Sequence, residues 1–378
     1  AGKKLLLTGK ERCNLTSCEE NMLKFAEAFG KKGKFLLSAL AHFGTSDAIR
    51  FFNDLGIPTK VEKGAKVFPV SDKAQDVCRS LLHYVEKHNV SSIFCSTVRE
   101  IIQTESGFKL MTQEETFLCS SVIISTGGLS YPSLGSSGDG YTWARNLGHT
   151  IVPTSPSLVG ILLNEDWLNE VTGMELTHVR IRLIQNSKKQ DERLGDAIFT
   201  QEGLSGPIII DMSRQIGLCL QKGVAHLEID FAPSLSHEQL NARLLHDMEQ
   251  FQRRQVKQLL KELLPTRIIS IVADLAELDS SKRSDAITKV ERKRLLDVLK
   301  AFPLRIKCLA GYEKAIITSG GVSLKEIDPQ TMQSKIVPYL FFAGEVIDLD
   351  GPTGGYNLQV CWSTGFLAGL SAAKSTLK

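Results

Sequence analysis

The sequence predicts an α/β protein in which a parallel-sheet domain is interrupted by a second, inserted domain. The first sign is a pair of apolar runs that end in glycine: Val122-Ile123-Ile124 before Thr126-Gly127-Gly128, and Leu340-Phe341-Phe342 before Ala343-Gly344. Strands of a parallel sheet are buried on both faces, so they read as continuous apolar runs, and their carboxyl ends deliver the chain to a ligand. The second is a change of texture between about residues 153 and 316, where a proline-rich opening leads to a β-rich and then a helical, heavily charged stretch. The third is length, since 378 residues exceed the size at which one hydrophobic core stops growing.

Taken in order, the apolar run at residues 5–7 enters Thr8-Gly9 and a polar stretch with Asn14, Thr16 and Ser17, good turn and cap formers, so a loop feeds a helix over Met22 to Phe29. A helix follows from about Thr45 to Leu55, then short strands at Thr59 to Glu62 and Ala65 to Pro69. Ala74 to His88 repeats Val77, Leu81, Leu82 and Val85 at helical spacing and should lay one face on a sheet. From Ser92 to Ser125 the period becomes that of strands: Ile93-Phe94-Cys95, Val98 to Ile102, Gly107 to Met111 and Glu115 to Cys119 make a small antiparallel meander. Strand candidates Leu158 to Leu163, His178 to Ile184 and Ala225 to Phe231 form the β part of the insert, and residues 236–305 its helical lobe. The domains are thus residues 1–152, an insert at 153–316 (β part 153–232, mainly helical part 233–316), and residues 317–378, which complete the first domain.

Composition excludes several classes. With 42% hydrophobic and 23% charged residues the chain has material for a large core and is not disordered, and a net charge of +3 argues against a strongly anionic partner. Eight cysteines without a CxxC pair fit neither a disulfide scaffold nor a structural zinc site, so reduced thiols in a cytoplasm are expected. No stretch reaches the roughly 18 to 20 apolar residues of a membrane span. The opening Ala1-Gly2-Lys3-Lys4 is no signal peptide and, without Met, reads as the middle of a protein. His42, His83, His88, His226, His237 and His246 show no metal spacing, so no metal is expected, and His149 reads as the end of a helix. Arg253 to Lys261 and Lys289 to Lys300 are basic, yet Glu249, Glu262, Glu291 and Asp297 lie among them, which makes solvated helix faces rather than a nucleic-acid surface the expectation.

Three glycine-bearing segments carry the chemistry. Gly135-Ser136-Ser137-Gly138-Asp139-Gly140 precedes the helical stretch Tyr141 to Leu147, so backbone N–H groups can approach an anionic ligand at a helix start, though a plain loop capped by Asp139 reads equally well. Phe341 to Glu345 is an apolar strand that delivers one carboxylate, an acceptor for ribose or ribityl hydroxyls. Gly351-Pro352-Thr353-Gly354-Gly355-Tyr356-Asn357-Leu358-Gln359 follows at once, a glycine pair opening an apolar helix whose first N–H groups suit the pyrimidine edge of a flavin.

These segments, with Gly2 to Leu6, Arg12-Cys13-Asn14-Leu15-Thr16, Phe68 to Ser71, Thr126 to Pro132, Gly138 to Tyr141, Gly148-His149, Gly203 to Pro207, Thr318 to Val322 and Thr331 to Lys335, resemble the BaiN and aminoacetone-oxidase-like family of NAD(P)/FAD-dependent oxidoreductases nearly end to end. The pairing of a Gly-Asp-Gly turn with a later Ala-Gly-Glu also resembles the flavin domain of succinate dehydrogenase and fumarate reductase flavoproteins. The resemblance implies a glutathione-reductase-like FAD-binding Rossmann domain interrupted by a β-barrel-like and helical insert. By it Gly2, Lys3 and the loop Arg12, Cys13, Asn14 lie along the flavin, and the Val98 backbone touches the adenine. Thr126, Gly127 and Gly128 pass close to the cofactor, Asp139 and the Gly344-Glu345 corner hold its polar groups, and Gly355 and Tyr356 lead Asn357 and Leu358 to offer N–H groups to the isoalloxazine.

Two departures stand out. Lys10 and Glu11 follow Gly9 where the family shows further glycines, and their side chains oppose close backbone approach. The family's opening βαβ unit with its GxGxxG is missing from the first residues, which removes the main pyrophosphate cradle. The expected function is an FAD-dependent oxidoreductase in which flavin N5 exchanges hydride with NAD(P)H and with a small organic substrate bearing a C=C bond or an amine carbon. NAD(P)H is implied by the resemblance alone, since no second glycine motif for a nucleotide is visible. Arg12, Lys335 and Tyr356 are the candidates for substrate contact, and Cys13 has no partner cysteine at redox spacing. The alternatives are a cofactor-free remnant that only binds, and a flavoprotein that modifies RNA.

Overall fold

The computed structural model describes residues 2–251 and 253–376, and its contacts divide the chain into Ala1–Pro156 with Ala315–Lys378, and Ser157–Lys314. In the first unit, the two apolar runs pair as parallel strands, Leu340 with Val122, Phe341 with Ile123 and Phe342 with Ile124. Leu340, Phe341 and Phe342 are wholly buried, and each such side chain contributes about 1.5–3 kcal/mol of transfer free energy. The helix Tyr356–Thr376 packs on this pair with Val360, Leu367, Ala368 and Ala372 turned into the core. A three-stranded antiparallel sheet, Glu100–Thr104, Gly107–Met111 and Thr116–Cys119, follows the expected meander.

The first strand expected in that meander is absent. Ile93, Phe94 and Cys95 have no regular structure, and Ile93 and Phe94 are 59% and 61% exposed, because no neighbouring backbone offers them a ladder. The run at residues 5–7 also differs from the expected loop: Lys3–Leu7 is a short helix, started by Gly2 in the left-handed region. Helix Ala74–Lys87 does lay one stripe inward, through Ala74, Val77 and Cys78, with Leu81 at the margin of the same cluster.

The second unit is built on a closed six-stranded barrel in the order Glu175–Gln185, Lys188–Phe199, Gly203–Ser205, Ile161–Leu163, Phe302–Leu309 and His226–Asp230. Alternation places Val179, Ile181 and Leu183 inside while their neighbours face out. The sequence reading missed three of its strands, the shortest being Gly203–Ser205. Lys188–Phe199 is too polar to register as a strand, and Phe302–Leu309 lies in a stretch read as helical. Pro207–Leu220, within the stretch read as β, is a helix that buries Ile208, Ile209, Met212 and Ile216. The lobe itself has helices His237–Gln250 and Lys289–Lys300, each opened by a capping box, Ser236 with Gln239 and Thr288 with Glu291.

His149 follows Gly148 at the end of helix Asp139–Asn146 and is buried, its Nε2 2.7 Å from Ser334 Oγ and its ring 4.9 Å from that of Phe342. Burial lowers its pKa below the usual histidine value. The native state therefore binds fewer protons than the unfolded chain, and the stability gained by keeping the ring neutral is whole above about pH 6.5 and lost as pH falls below it. Unfolding free energies from urea titrations between about pH 7.5 and 5 should fall by up to about 1 kcal/mol per pH unit more in the native protein than in His149→Gln, which cannot titrate. Parallel profiles would refute this.

Candidate functional site

The site grows from the carboxyl ends of the parallel pair. After Phe342, Gly344 adopts a left-handed φ of 73° and its N–H donates to Thr364 Oγ1 at 2.9 Å, which fixes the corner on the last helix. Glu345 follows and is held from two sides: Oε1 accepts the Thr318 N–H at 2.8 Å and Oε2 accepts the Lys4 ammonium at 2.5 Å. A carboxylate has about four lone-pair sites, so acceptor capacity remains for a ligand hydroxyl. The chain then buries two further carboxylates that sequence reasoning passed over. Asp348 pairs with Lys32 at 2.5 Å, and Asp350 accepts from the Ser319 hydroxyl at 3.0 Å. Lys4, Thr318 and Ser319 fall in segments that carry the resemblance but were assigned no role, and Lys32 was not singled out; the carboxylates held by Lys4 and Lys32 lie 341 and 316 residues away, those held by Thr318 and Ser319 only 27 and 31.

At the glycine pair the backbone is left-handed twice, with φ 117° at Gly354 and 93° at Gly355. The two glycines serve different ends. A Cβ on Gly355 would sit 2.2 Å from the Thr16 backbone, so this position is needed for internal packing, whereas Gly354 meets only the Tyr356 ring at 3.4 Å. With its amide turned to satisfy its neighbours, Asn14 accepts the Gly355 N–H at 2.8 Å and donates to the Val67 and Thr16 carbonyls. Asn14 and Gly355 thus brace one another. Asn357 likewise braces the turn through its side chain, accepting the Gly351 N–H at 2.8 Å and donating to the Gly351 and Pro352 carbonyls. The N–H groups of Tyr356, Asn357 and Leu358 belong to the first turn of a 21-residue helix and have no intrahelical acceptor, so they form a positive end suited to a ring that gains negative charge.

The middle turn lies alongside. Ala343 N–H donates to Ile124 O at 3.1 Å, which ties the two strand ends together. Gly127, with φ 77°, has only Ser136 Oγ within 4 Å, at 3.7 Å, and Gly135 has nothing within 4 Å. Gly128 is packed against Thr318 and Gly140 against Thr126. Asp139 starts its helix and accepts from the Ser137 hydroxyl at 2.7 Å. Val98 packs at the edge of the same core, just before the ladder that begins at Glu100.

The loop after Thr8 shows how the two non-glycine residues are accommodated. Gly9, Lys10, Glu11 and Cys13 all have positive φ, 59°, 58°, 66° and 61°, while the Lys10 and Glu11 side chains point out to solvent. The backbone therefore takes the path that glycines would take, at about 1–2 kcal/mol per non-glycine residue. Replacing both, Lys10→Gly with Glu11→Gly, is expected to raise stability by about 1 kcal/mol once glycine's larger unfolded-state entropy is deducted. A lower thermal midpoint in the double variant would count against the strain. Cys13 is fully buried, which pushes its thiol up to about 11 and leaves almost no thiolate at neutral pH.

The three substrate-contact candidates have separate partners. Arg12 is locked by Asp72, at 2.6 and 2.8 Å, by Glu62, and by the Phe68 ring 4.2 Å beneath it. Arg12 in turn holds Glu62 below the usual carboxylate range, and Lys60 with Arg12 does the same for Asp72. Lys335 is exposed and donates to the Lys325 carbonyl at 3.1 Å. Tyr356 alone stands on the glycine turn, its ring 4.8 Å from Phe25 and 6.1 Å from Phe29. Gly2 packs on Cys78, and Lys3 is exposed.

The residues fit a flavin on three counts: open space beside Gly135 with only the Ser136 hydroxyl facing Gly127, acceptor capacity at Glu345, and an unpaired helix start after the glycine pair. Parallel strands ending in these turns, with a barrel-and-helix insert, define the class: a Rossmann-fold flavoprotein oxidoreductase that uses FAD. Within that class, residues 1–371 match the family described as HI0933-like protein Rossmann domain, and the chain belongs to it. A 3-dehydro-bile acid delta(4,6)-reductase of Clostridium scindens is 29% identical over 375 residues, covering 99% of this chain and 90% of that one. A ribosomal RNA dihydrouridine synthase of Escherichia coli is 30% identical over 377 residues with the same coverage. An E. coli quinol fumarate reductase structure is 15% identical with a TM-score of 0.46, over 95% of this chain and 60% of that one, a likeness too slight to carry argument. No helix among the described residues is long and apolar enough to cross a membrane.

Proposed function

We propose that the protein is a reductase of a carbon–carbon double bond conjugated to a carbonyl, with NAD(P)H as electron source. FAD bound at the glycine turns would supply hydride exchange at its N5. The observation that carries this reading is the unpaired helix start at Tyr356, Asn357 and Leu358, directly after the glycine pair. Those N–H groups would hold the edge of the ring where charge accumulates on reduction, Glu345 would accept a hydroxyl of the cofactor's side chain, and Gly127 would let the backbone lie against it. The names of both relatives point the same way: a delta(4,6)-reductase removes double bonds in a 3-dehydro acid, and a dihydrouridine synthase saturates the uracil ring.

A small molecule is put ahead of RNA as substrate because acidic residues interrupt the basic runs of the helical lobe, where Lys282 pairs with Glu291, Arg283 with Asp285 and Arg294 with Glu277, so that part of its positive charge is neutralised. The test is anaerobic. Protein loaded with FAD should lose its flavin absorption band on adding NADPH and regain it with a cyclic enone, the product gaining two hydrogens by mass spectrometry. Recovery of the band only with ribosomal RNA, with the gain found in uridine, would move the substrate to the nucleic acid. Colourless protein that takes up no FAD would leave the cofactor-free binding protein as the reading.

A further inference from the structure

We infer that Thr318 is a positioning residue for the flavin, a role that rests on the reading just given. Thr318 is 1% exposed and joins two of the three glycine corners. Its Oγ1 accepts the N–H groups of Leu129 at 2.8 Å and Ser130 at 3.1 Å, the two residues after Thr126-Gly127-Gly128. A hydroxyl has two lone pairs and one proton, so with both pairs taken the proton is left for Ser130 Oγ at 3.0 Å. Meanwhile its own N–H donates to Glu345 Oε1 at 2.8 Å. The turn lies hard against it, for a Cβ on Gly128 would come within 2.4 Å of the hydroxyl. One side chain thus sets the path of the turn whose open face is Gly127, and the same residue's backbone aims the carboxylate of the neighbouring corner.

The two functions separate by substitution. Thr318→Val keeps the shape and the N–H to Glu345 but removes the acceptor of two buried N–H groups, which must then shift toward other partners and carry Gly127 with them. Thr318→Ser keeps the acceptor. FAD affinity, read by quenching of flavin fluorescence on binding, should weaken about tenfold to a hundredfold in the valine variant and stay within about threefold of native in the serine variant. The absorption band of flavin bound to the valine variant at saturation should also be shifted or blurred, which a loss of folded protein alone would not produce. Ser130→Ala, which spares both N–H bonds, should bind as native. Native affinity and an unchanged band in Thr318→Val would overturn the inference alone. So would a loss of affinity matched by a fall in the apo-protein's unfolding midpoint and not restored by serine. Failure of the native protein itself to take up FAD would remove the flavin reading and this inference with it.

Discussion

Replacing Gly355 with alanine is expected to abolish flavin uptake and to cost the first unit more than 3 kcal/mol. Two effects add. At φ 93° a side chain is strained by about 1–2 kcal/mol, and the new Cβ would meet the carbonyl carbon and oxygen of Thr16 at 2.2 Å. Backbone cannot step aside as a flexible side chain would, so either the short strand at Thr16–Ser17 or the glycine turn must move, and the bond from the Gly355 N–H to Asn14 is lost with it. Gly354→Ala is the control: it has similar strain at φ 117° but only a ring edge at 3.4 Å, and should weaken binding without unfolding the corner. Retention of FAD through gel filtration and the urea midpoint measure both. An alanine variant at 355 that keeps native colour and midpoint would show that the corner is not packed as described.

Lys300→Met is expected to destabilise the barrel unit by about 3–5 kcal/mol, because it strands a buried charge. Asp230 is fully buried, and the Lys300 ammonium lies 2.7 Å from it while also donating to the Ala232 and Leu235 carbonyls at 3.0 and 2.8 Å. Without that ammonium the nearest cation is the Arg182 guanidinium at 3.6 Å. The double variant Asp230→Asn with Lys300→Met should recover most of the loss, since a neutral pair has no uncompensated charge to solvate. Equal destabilisation of single and double variants in urea unfolding would instead assign the cost to packing of the lysine stem.

Both predictions turn on residues that differ in how legible they are from sequence. Gly355 announces itself, because a glycine pair between an apolar strand and an apolar helix leaves few alternatives, and the runs at Val122 and Leu340 name their own sheet by being apolar throughout. The Lys300–Asp230 pair is silent, since a lysine at the end of a charged helix reads as solvated until the strand that buries its head is in place. The barrel strand Lys188–Phe199 was hidden for a related reason: its outward residues are charged and few of its positions turn inward, so period and hydrophobicity both fail. Ile93 and Phe94 erred in the other direction. Their β-forming residues are genuine, but a strand needs a partner, and propensity cannot supply one. At the site, side chains that act within their own motif were readable, whereas the contacts of Lys4 and Lys32, and those of Thr318 with Leu129 and Ser130, became visible only when folding brought distant segments together.

The parallel ladder between residues 122–124 and 340–342 has a consequence for biosynthesis. A nascent polypeptide exposes the earlier of these apolar segments long before the ribosome has made the later one, while residues 157–314 are contiguous and contain every strand of the barrel. Contacts of such wide sequence separation form late, so the barrel unit should mature first and the cofactor corner last. During that interval Val122 to Ile124 is a sticky, unpaired edge, and the demand for chaperones should concentrate there.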